Sequence, residues 1–295
     1  MKNKLQLSPI VAGCMKWGQW GARFTTRQFA DIIAACIDNE ITSFDHADIY
    51  GDYTTEEEFG TALNQQPSIR KKIQLITKCG IKMPVAGRPA NKMKSYDTRS
   101  QYIIQCVERS LTCLCTDYID VFLIHRPDPL MNPEEIAEAF TRLKQQGKAL
   151  HFGVSNFTPS QTNLLNKYYP VEINQIEISL LHLDPFHNGQ LDQCIHDNIL
   201  PMAWSPLGGG SLLTDFSSEK NMRIQAAVNL LRLKYKSSFE DILLAFLRKH
   251  PSGIIPVLGT SKTERLISAI QSKELQLETE EWFMLWEASA GRSIP

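Results

Sequence analysis

The chain has 295 residues, and its 31 lysines and arginines almost balance its 32 acids, so that the formal net charge is −1. This balance, without a basic block, argues against a nucleic-acid-binding protein and favours a small neutral or anionic partner. The seven cysteines are odd in number, scattered and without a CxxC pair, which is typical of reduced cytosolic thiols rather than of a disulfide framework.

The N-terminus carries Lys2 and Lys4, but Gln6, Ser8 and Pro9 interrupt the segment that would form the apolar core of a signal peptide. No run in the sequence approaches the ~18 apolar residues that a membrane span needs. We therefore expect a cytoplasmic protein without a membrane partner.

Eight short apolar segments then alternate with helical patterns. In chain order they are PIVAG near residue 10, ITSFD near 43, KIQLITK near 75, YIDVFLIH at 118–125, HFGVSN at 151–156, VEINQIEI at 171–178, ILPMAWS at 199–205 and GIIPVLG at 253–259. Several are continuously apolar, as expected of parallel strands that are covered on both faces. The pattern predicts eight strands.

Helix starts lie between these segments. Three hydroxyl residues, each followed three positions later by Gln or Glu, fit the capping box: Thr25 with Gln28, Thr98 with Gln101, and Ser237 with Glu240. Asn132 before Pro133 is a cap followed by proline in the first helical position. Two segments exceed the repeat, residues 211–236 and a C-terminal helix from about Thr279, and both are candidates for covering the mouth or floor of a barrel.

Strand and helix alternate without a linker or low-complexity break, which predicts a single (β/α)8 barrel domain over residues 1–295. A doubly wound open sheet is the alternative. Its best glycine-rich candidate, Gly208-Gly209-Gly210, lacks both the GxGxxG spacing and the acid ~20 residues later that dinucleotide-binding sheets carry. The triple glycine is more typical of a mobile lip.

The reacting groups of such a barrel lie where strands end. Polar residues at or near the predicted strand ends are Asp45, with Tyr50 in the following loop, and Lys78, His125, Ser155, Asn156, Gln175 and Ser205. They come from six strands and are expected to converge on one rim.

Four of these residues form a proton-transfer unit on physical grounds. A tyrosine is a poor acid at neutral pH, but a buried ammonium nearby lowers its pKa. Lys78 can supply that charge, and Asp45 can hold it in place. Tyr50 is then the general acid, while His125 orients a substrate oxygen by a hydrogen bond.

Seven motifs resemble, in the right order and over nearly the whole chain, those of the aldo-keto reductase superfamily. They are FDHADIYG, the lysine of LITKCG, LIHRPDP, GKALHFGVSNF, NQIEIS, AWSPLG and IPVLGTSKTER. The HADIYG and HRPDPLM segments are most similar to the bacterial YdhF-type oxidoreductase branch. The resemblance implies an NADPH-dependent enzyme that reduces an aldehyde or ketone to an alcohol, with Asp45, Tyr50, Lys78 and His125 as the catalytic tetrad.

The resemblance also implies how NADPH/NADP+ is held. Ser155, Asn156 and Gln175 would bind the nicotinamide carboxamide, and Trp204 would stack on its ring. Ser205, Leu207 and Gly208 would line the pyrophosphate. Ser261, Lys262 and Arg265 match the pocket for the 2′-phosphate, a role that suits cationic groups.

The sequence departs from the family pattern at four positions. Ser268 and Ala269 replace the Glu-Asn pair that often contacts the adenine, which puts the strength of the NADPH preference in question. His46 replaces a small residue, and Ile178 stands where many relatives have a ring.

Two other functions stay open. A metal-dependent hydrolase could use His46 and Asp48, but no strand-end partner completes the site, and His46 should point away from Asp45. The group of His182, His187 and His196 is more typical of a surface. A cofactor-binding regulatory protein with little turnover is the second alternative.

Trp17 and Trp20, after the first strand, could line a substrate pocket or cover the rim. The expected partner is a small carbonyl compound, and the chain is expected to be a monomer or weak homo-oligomer.

Overall fold

A computed structural model of the chain describes residues 5–294, so that Lys2 and Lys4 lie outside the described residues. Eight parallel strands close into a barrel in the order β1-β8-β7-β6-β5-β4-β3-β2. The strands are β1 Val11–Gly13, β2 Ser43–Asp45, β3 Gln74–Cys79, β4 Ile119–Ile124, β5 Ala149–Ser155, β6 Ile173–Glu177, β7 Leu200–Trp204 and β8 Ile255–Leu258. The predicted (β/α)8 fold is confirmed.

Helices surround the barrel in chain order. They are α1 Thr26–Asp38, α2 Tyr50–Tyr53, α3 Thr55–Asn64, α4 Ser100–Cys113, α5 Pro133–Gln145, α6 Pro159–Asn166, α7 Gln190–Asp197, α8 Ser211–Thr214, α9 Glu219–Tyr235, α10 Phe239–Arg248, α11 Thr263–Gln271 and α12 Thr279–Ala290. After β3 a short antiparallel ribbon, Ile81–Lys82 with Ser95–Tyr96, interrupts the repeat. No helix in residues 5–294 is long and apolar enough to cross a membrane.

The interior of the barrel holds a buried apolar layer formed by Val11, Ile76, Val121, Leu123, Ile173, Met202 and Val257. Side chains two positions apart on a strand share a face, so the next inward position of each strand lies one layer nearer the mouth. On β3, β6 and β7 and just after β4, that position carries Lys78, Gln175, Trp204 and His125. The functional layer therefore rests directly on the apolar one.

Leu5 and Leu7 pack against the apolar layer at the end of the barrel where the strands begin. Residues 211–236 and the C-terminal helix are the predicted candidates for covering the mouth or the floor, and the N-terminal segment rather than either of them fills the floor. The C-terminal helix does begin at Thr279 as predicted.

Helices α9 and α12 instead pack together on the outer wall beside α10. The ring of Trp282 in α12 stacks on Phe246 of α10, with centroids 4.8 Å apart and an interplanar angle of 8°. At the end of α12, the Ser289 hydroxyl donates to the carbonyl of Leu180, in the loop after β6. The additional helices thus brace one side of the rim.

Two of the predicted helix caps are confirmed. Thr25 forms the capping box with Gln28, and the Asn132 side chain accepts from the backbone N–H of Glu134, with Pro133 in the first turn.

The other two predicted caps are wrong. The Thr98 hydroxyl donates to Asp128 Oδ2 at 3.1 Å, and α4 begins only at Ser100. The box predicted at Ser237 forms one residue later, at Ser238 with Asp241. Asp128 accepts the hydrogen bond of the Thr98 hydroxyl, and Ser238 replaces Ser237 as the capping residue of α10.

Gly60 lies where α3 crosses the end of α4. A Cβ atom there would be 2.0 Å from the carbonyl oxygen of Cys113 and 2.7 Å from the backbone of Leu114. Gly60→Ala should therefore lower the free energy of unfolding by roughly 2–3 kcal/mol, although alanine is the better helix former, because backbone has to shift. Urea unfolding measures this change.

Thr61→Ala, at the next and exposed position of the same helix, is the matched control and should change stability by less than about 0.5 kcal/mol. A Gly60→Ala variant at least as stable as the parent would contradict the close packing of α3 on α4.

Candidate active site

Lys78 is the centre of a buried network at the mouth of the barrel. Its Nζ atom lies 2.8 Å from both carboxylate oxygens of Asp45, 2.6 Å from the carbonyl oxygen of His46 and 3.3 Å from the hydroxyl of Tyr50. An ammonium group has three N–H donors, and these partners use all of them. Gln175 Nε2 donates to Asp45 Oδ1 at 2.8 Å and extends the network to β6.

Strand register explains why these side chains meet. Asp45, the last residue of β2, pairs with Ile76 of β3. Lys78 lies two residues beyond Ile76 on the same inward face, while Thr77 points outward and donates to Glu56 of α3. The ends of β2 and β3 therefore place the ammonium directly beside the carboxylate.

Tyr50 is held by an unusual turn. Gly51, Asp52 and Tyr53 have φ values of 60°, 56° and 75°, in the left-handed region. A Cβ atom at Gly51 would lie 2.5 Å from Thr55 Oγ1, so both conformation and space require glycine. Non-glycine residues with such φ values store strain and cluster at functional sites.

The two early tryptophans have different places. Trp17 is fully buried in the core between β1 and the surrounding helices, and its Nε1 donates to the carbonyl of Thr260 at 2.8 Å. The ring of Trp20 lies 6.2 Å from that of Tyr50, and its Nε1 donates to Asp52 Oδ1 at 3.1 Å. Trp20, not Trp17, therefore lies beside Tyr50.

The protonation of the Tyr50–Lys78 pair follows from its burial. Desolvation raises the pKa of the Tyr50 hydroxyl above its ordinary value, although the Lys78 charge acts in the opposite direction. Lys78 lowers this pKa as expected, but burial of the phenol has the larger effect, so the net direction is upward. Burial favours neutral Lys78, but Asp45 and Tyr50 outweigh it and raise its pKa. Tyr50 thus keeps its proton beside a charged ammonium.

His125 directly follows β4 and lies beside Tyr50. Its ring lies 6.0 Å from that of Tyr50 at an interplanar angle of 79°. Burial, together with the charges of Lys78 and Arg126, holds the pKa of His125 well below its ordinary value. The imidazole is therefore neutral at pH 7 and can donate one N–H to a substrate oxygen.

His46 and Asp48, which suggested a metal site, point in other directions. The His46 ring packs edge-on against Phe59 with centroids 4.5 Å apart, and neither ring nitrogen has a hydrogen-bond partner among the described residues. The Asp48 carboxylate accepts from Arg109 Nη2 at 3.1 Å. Within residues 5–294, no three His, Cys, Asp or Glu side chains are grouped to hold a metal ion.

The three histidines that follow β6 do not form a metal site with other described residues either. His187 and His196 are exposed, and His182 is half-buried.

The residues expected around a nicotinamide ring form a second network beside the first. The Ser155 hydroxyl donates to the carbonyl of Gln175 at 2.9 Å and accepts from Asn156 Nδ2 at 3.0 Å. Trp204 Nε1 donates to Asn156 Oδ1 at 3.0 Å, which fixes the orientation of the half-buried indole. These hydrogen bonds connect Ser155, Asn156, Gln175 and Trp204 at one rim of the barrel.

Backbone strain marks the same region. Asn156 and Ser205, which directly follow β5 and β7, have φ values of 59° and 49°. Leu207 is half-buried next to them, and Gly208, Gly209 and Gly210 all have positive φ values. Nothing lies within 4 Å of a Cβ atom built on Gly209 or Gly210, so this segment leaves an open ledge at the end of β7.

Ser261, Lys262 and Arg265 surround the start of α11, just after β8. Lys262 and Arg265 are exposed, and neither has a carboxylate within 4 Å among the described residues. Two free cations at the positive end of a helix dipole are suited to a phosphate group. Ser268 is exposed on the same helix, whereas Ala269 is buried in the core and presents no surface to a ligand.

The sequence interpretation missed two residues of the site. Asp52 anchors Trp20 and adopts a left-handed backbone, and Arg126 extends its guanidinium group to within 3.4 Å of Ser155 Oγ. The left-handed run at Asp52 has no sequence signal beyond the preceding glycine. Arg126 was detectable only as a cation adjacent to His125.

The profile of the aldo/keto reductase family matches residues 9–290, and the chain therefore belongs to that family of oxidoreductases. It is 42% identical to the oxidoreductase YcsN of Bacillus subtilis (strain 168), over 100% of this chain and 98% of YcsN. It is 39% identical to the oxidoreductase YdhF of Escherichia coli (strain K12), over 98% of this chain and 96% of YdhF. The resemblance to the superfamily and to its YdhF-type branch is confirmed.

Among solved structures, the aldo/keto reductase from Klebsiella pneumoniae in complex with NADP and acetate shares the fold. Its TM-score is 0.75 at 22% sequence identity, and the similarity covers 96% of this chain and 92% of that one.

The unpaired ring of His46 leads to a prediction about pH and stability. Burial, followed by the Lys78 charge, lowers the pKa of His46 to about 3, so the folded state keeps this ring neutral where the unfolded chain protonates it. The unfolded state then binds the extra proton, and stability falls as the pH drops below ~6.5. His46→Leu should remove roughly 2 kcal/mol of the loss between pH 7.5 and pH 5.

Urea unfolding of parent and variant at both pH values measures this difference. His196→Gln, at an exposed side chain, is the control and should leave the pH dependence within about 0.5 kcal/mol of the parent. Identical pH profiles for His46→Leu and the parent would contradict a neutral buried imidazole.

Proposed function

We propose that this protein is an NADPH-dependent reductase that converts an aldehyde or ketone to the corresponding alcohol, with residues 1–295 acting as one catalytic domain. The observation that carries the proposal is the contact of Lys78 with both Asp45 and Tyr50 at the barrel mouth. A protonated phenol beside a buried ammonium is suited to donate a proton, because the ammonium stabilises the phenolate that remains.

Bound NADPH would supply the hydride that reduces the carbonyl carbon. Tyr50 gives its hydroxyl proton to the carbonyl oxygen as that oxygen gains charge, so that the product is an alcohol and the tyrosine becomes a phenolate. Lys78 stabilises the phenolate, and Asp45 keeps Lys78 charged and oriented. The neutral His125 donates a hydrogen bond to the same oxygen and fixes its direction. Tyr50 then regains a proton from solvent.

The residues around Trp204 fit the cofactor. Ser155, Asn156 and Gln175 offer hydroxyl and amide groups for the carboxamide, and the indole face is suited to stack on the nicotinamide ring. Ser205, Leu207 and Gly208 would line the pyrophosphate on the open ledge after β7. Ser261, Lys262 and Arg265 would hold the 2′-phosphate. The NADP complex of the Klebsiella pneumoniae relative supports this choice of cofactor.

The hydrolase alternative has little support, because His46 faces Phe59 and Asp48 faces Arg109. The regulatory alternative differs from our proposal only in turnover, so an NADPH-oxidation assay across aldehydes, ketones and dicarbonyls separates the two. We also propose a cytoplasmic location, which is supported by the free thiols of all seven cysteines.

Removing the hydroxyl of Tyr50 tests its proposed role as the general acid. Tyr50→Phe should still quench tryptophan fluorescence on binding NADPH, but its turnover should fall by roughly 10²- to 10⁴-fold, the usual contribution of a positioned proton donor. The matched control is Tyr53→Phe, three residues along the same turn, which should reduce aldehydes within about threefold of the parent rate. Reduction by Tyr50→Phe at the parent rate would show that another group is the acid.

Lys262 is the position at which the 2′-phosphate can be tested. Lys262→Ala should raise the Kd for NADPH by roughly 10-fold or more and change that for NADH by less than about twofold, because only NADPH carries the phosphate. Fluorescence titration with both cofactors measures the ratio. Lys71→Ala, an exposed lysine just before β3, is the control. Equal losses for NADPH and NADH would remove Lys262 from this role.

A further inference from the structure

Arg126 directly follows His125 and turns its guanidinium group into the site. Its Nη1 atom donates to the carbonyl of His125 at 2.7 Å and lies 3.4 Å from Ser155 Oγ. Its Cζ atom is 5.7 Å from the centroid of the Trp204 ring. The head group therefore lies beside Ser155 and Trp204, two of the residues proposed to hold the nicotinamide, and next to the backbone of His125.

Among the described residues the guanidinium of Arg126 has no ion pair, which it shares with the half-buried Arg88 and Arg248 and which separates it from the buried Arg70 and the half-buried Arg109. Arg70 lies 2.7 Å from a carboxylate oxygen of Asp120, and Arg109 lies 3.1 Å from one of Asp48. No carboxylate of the described residues lies within 4 Å of Arg126. Burial lowers the pKa of Arg126, and Tyr50, Tyr96 and Glu177 counteract this only from longer range.

The surroundings add positive charge on the same side of the mouth. Residues 81–96, which form the ribbon after β3 and its loop, contain Lys82, Arg88, Lys92 and Lys94 and no acid. The Lys94 charge is one of those that lower the pKa of His125. Lys82 lies 3.9 Å from Asp97, which partly neutralises its charge. The positive charge of this loop therefore comes mainly from Arg88, Lys92 and Lys94.

A planar guanidinium without a carboxylate partner is suited to bind a carboxylate of a ligand by two parallel hydrogen bonds. The charge of Arg126 is one of those that act on the Tyr50 hydroxyl, so an anion held by its guanidinium group would lie on the same rim as a carbonyl group placed at Tyr50. A positive field at the mouth would also attract anionic substrates.

We propose that Arg126 binds an anionic group of the substrate, so that the enzyme prefers carbonyl compounds with a carboxylate close to the carbonyl carbon, such as short semialdehydes. This inference rests on the proposed reductase function and specifies its substrate class. Arg126 would then determine substrate specificity. The four proposed catalytic residues, Lys78 among them, would act on any carbonyl group that reaches them.

A matched pair of substrates tests the inference. Succinic semialdehyde and butanal share a four-carbon chain with a terminal aldehyde and differ in the carboxylate, so the ratio of their kcat/KM values isolates its contribution. The parent should favour the semialdehyde, and Arg126→Gln should lower the ratio by roughly 30-fold, as expected for loss of a charged hydrogen-bond partner. Arg126→Lys should retain part of the preference, because it keeps the charge but not the fork.

The control for net charge is Arg27→Gln, at a side chain that is 92% exposed on α1, and it should leave the ratio unchanged. An unchanged ratio in Arg126→Gln, or an equal fall for both aldehydes, would overturn the inference.

Calorimetric titration of the NADP+ complex with succinate gives a second readout that needs no turnover. Succinate should bind the parent and bind Arg126→Gln at least roughly 10-fold more weakly. Equal affinity for both proteins would again overturn the inference. If neither aldehyde oxidises NADPH in the parent while succinate binding still depends on Arg126, the reductase proposal fails and the anion site stands.

Discussion

The buried ion pair between Lys78 and Asp45 is the contact on which the rest of the site depends. Moving an ammonium or a carboxylate out of water costs several kcal/mol per ion, and an unpartnered charge at this depth would be neutralised instead. Lys78 stays charged because Asp45, the His46 carbonyl and the Tyr50 hydroxyl occupy its three N–H donors. The same network therefore satisfies the ion and holds the proposed acid, so that a change in one affects the other.

The parallel barrel produces this network through register. Lys78 is paired with Leu123, and the inward position two residues after Leu123 is His125. A slip of one residue in β3 would turn the ammonium toward α3 and bring Thr77 to the mouth, because alternate side chains face opposite sides. Burial of the phenol keeps the Tyr50 proton in place, and Arg126 adds a guanidinium group to the same rim.

The sequence predicts the barrel and the meeting of the four proposed catalytic side chains, because the carboxyl ends of parallel strands share one rim whatever the lengths of the helices. It does not predict the net direction of the Tyr50 pKa, which depends on how deeply the phenol is buried. Arg126 escapes detection because the letters HRPDP do not show whether an arginine finds a carboxylate. The cap at Ser238 rather than Ser237 has a local cause, since adjacent hydroxyls offer two patterns and packing selects one.

Single-turnover oxidation of NADPH by the double variant Asp45→Asn/Lys78→Met tests most directly whether the buried ammonium supports the proton transfer. The double replacement leaves no unpaired buried charge, and Tyr50 keeps its hydroxyl. We expect NADPH to bind within about threefold of the parent affinity while the hydride-transfer step slows by at least roughly 100-fold. A rate close to that of the parent would show that Tyr50 needs no charged Lys78 and would contradict the mechanism.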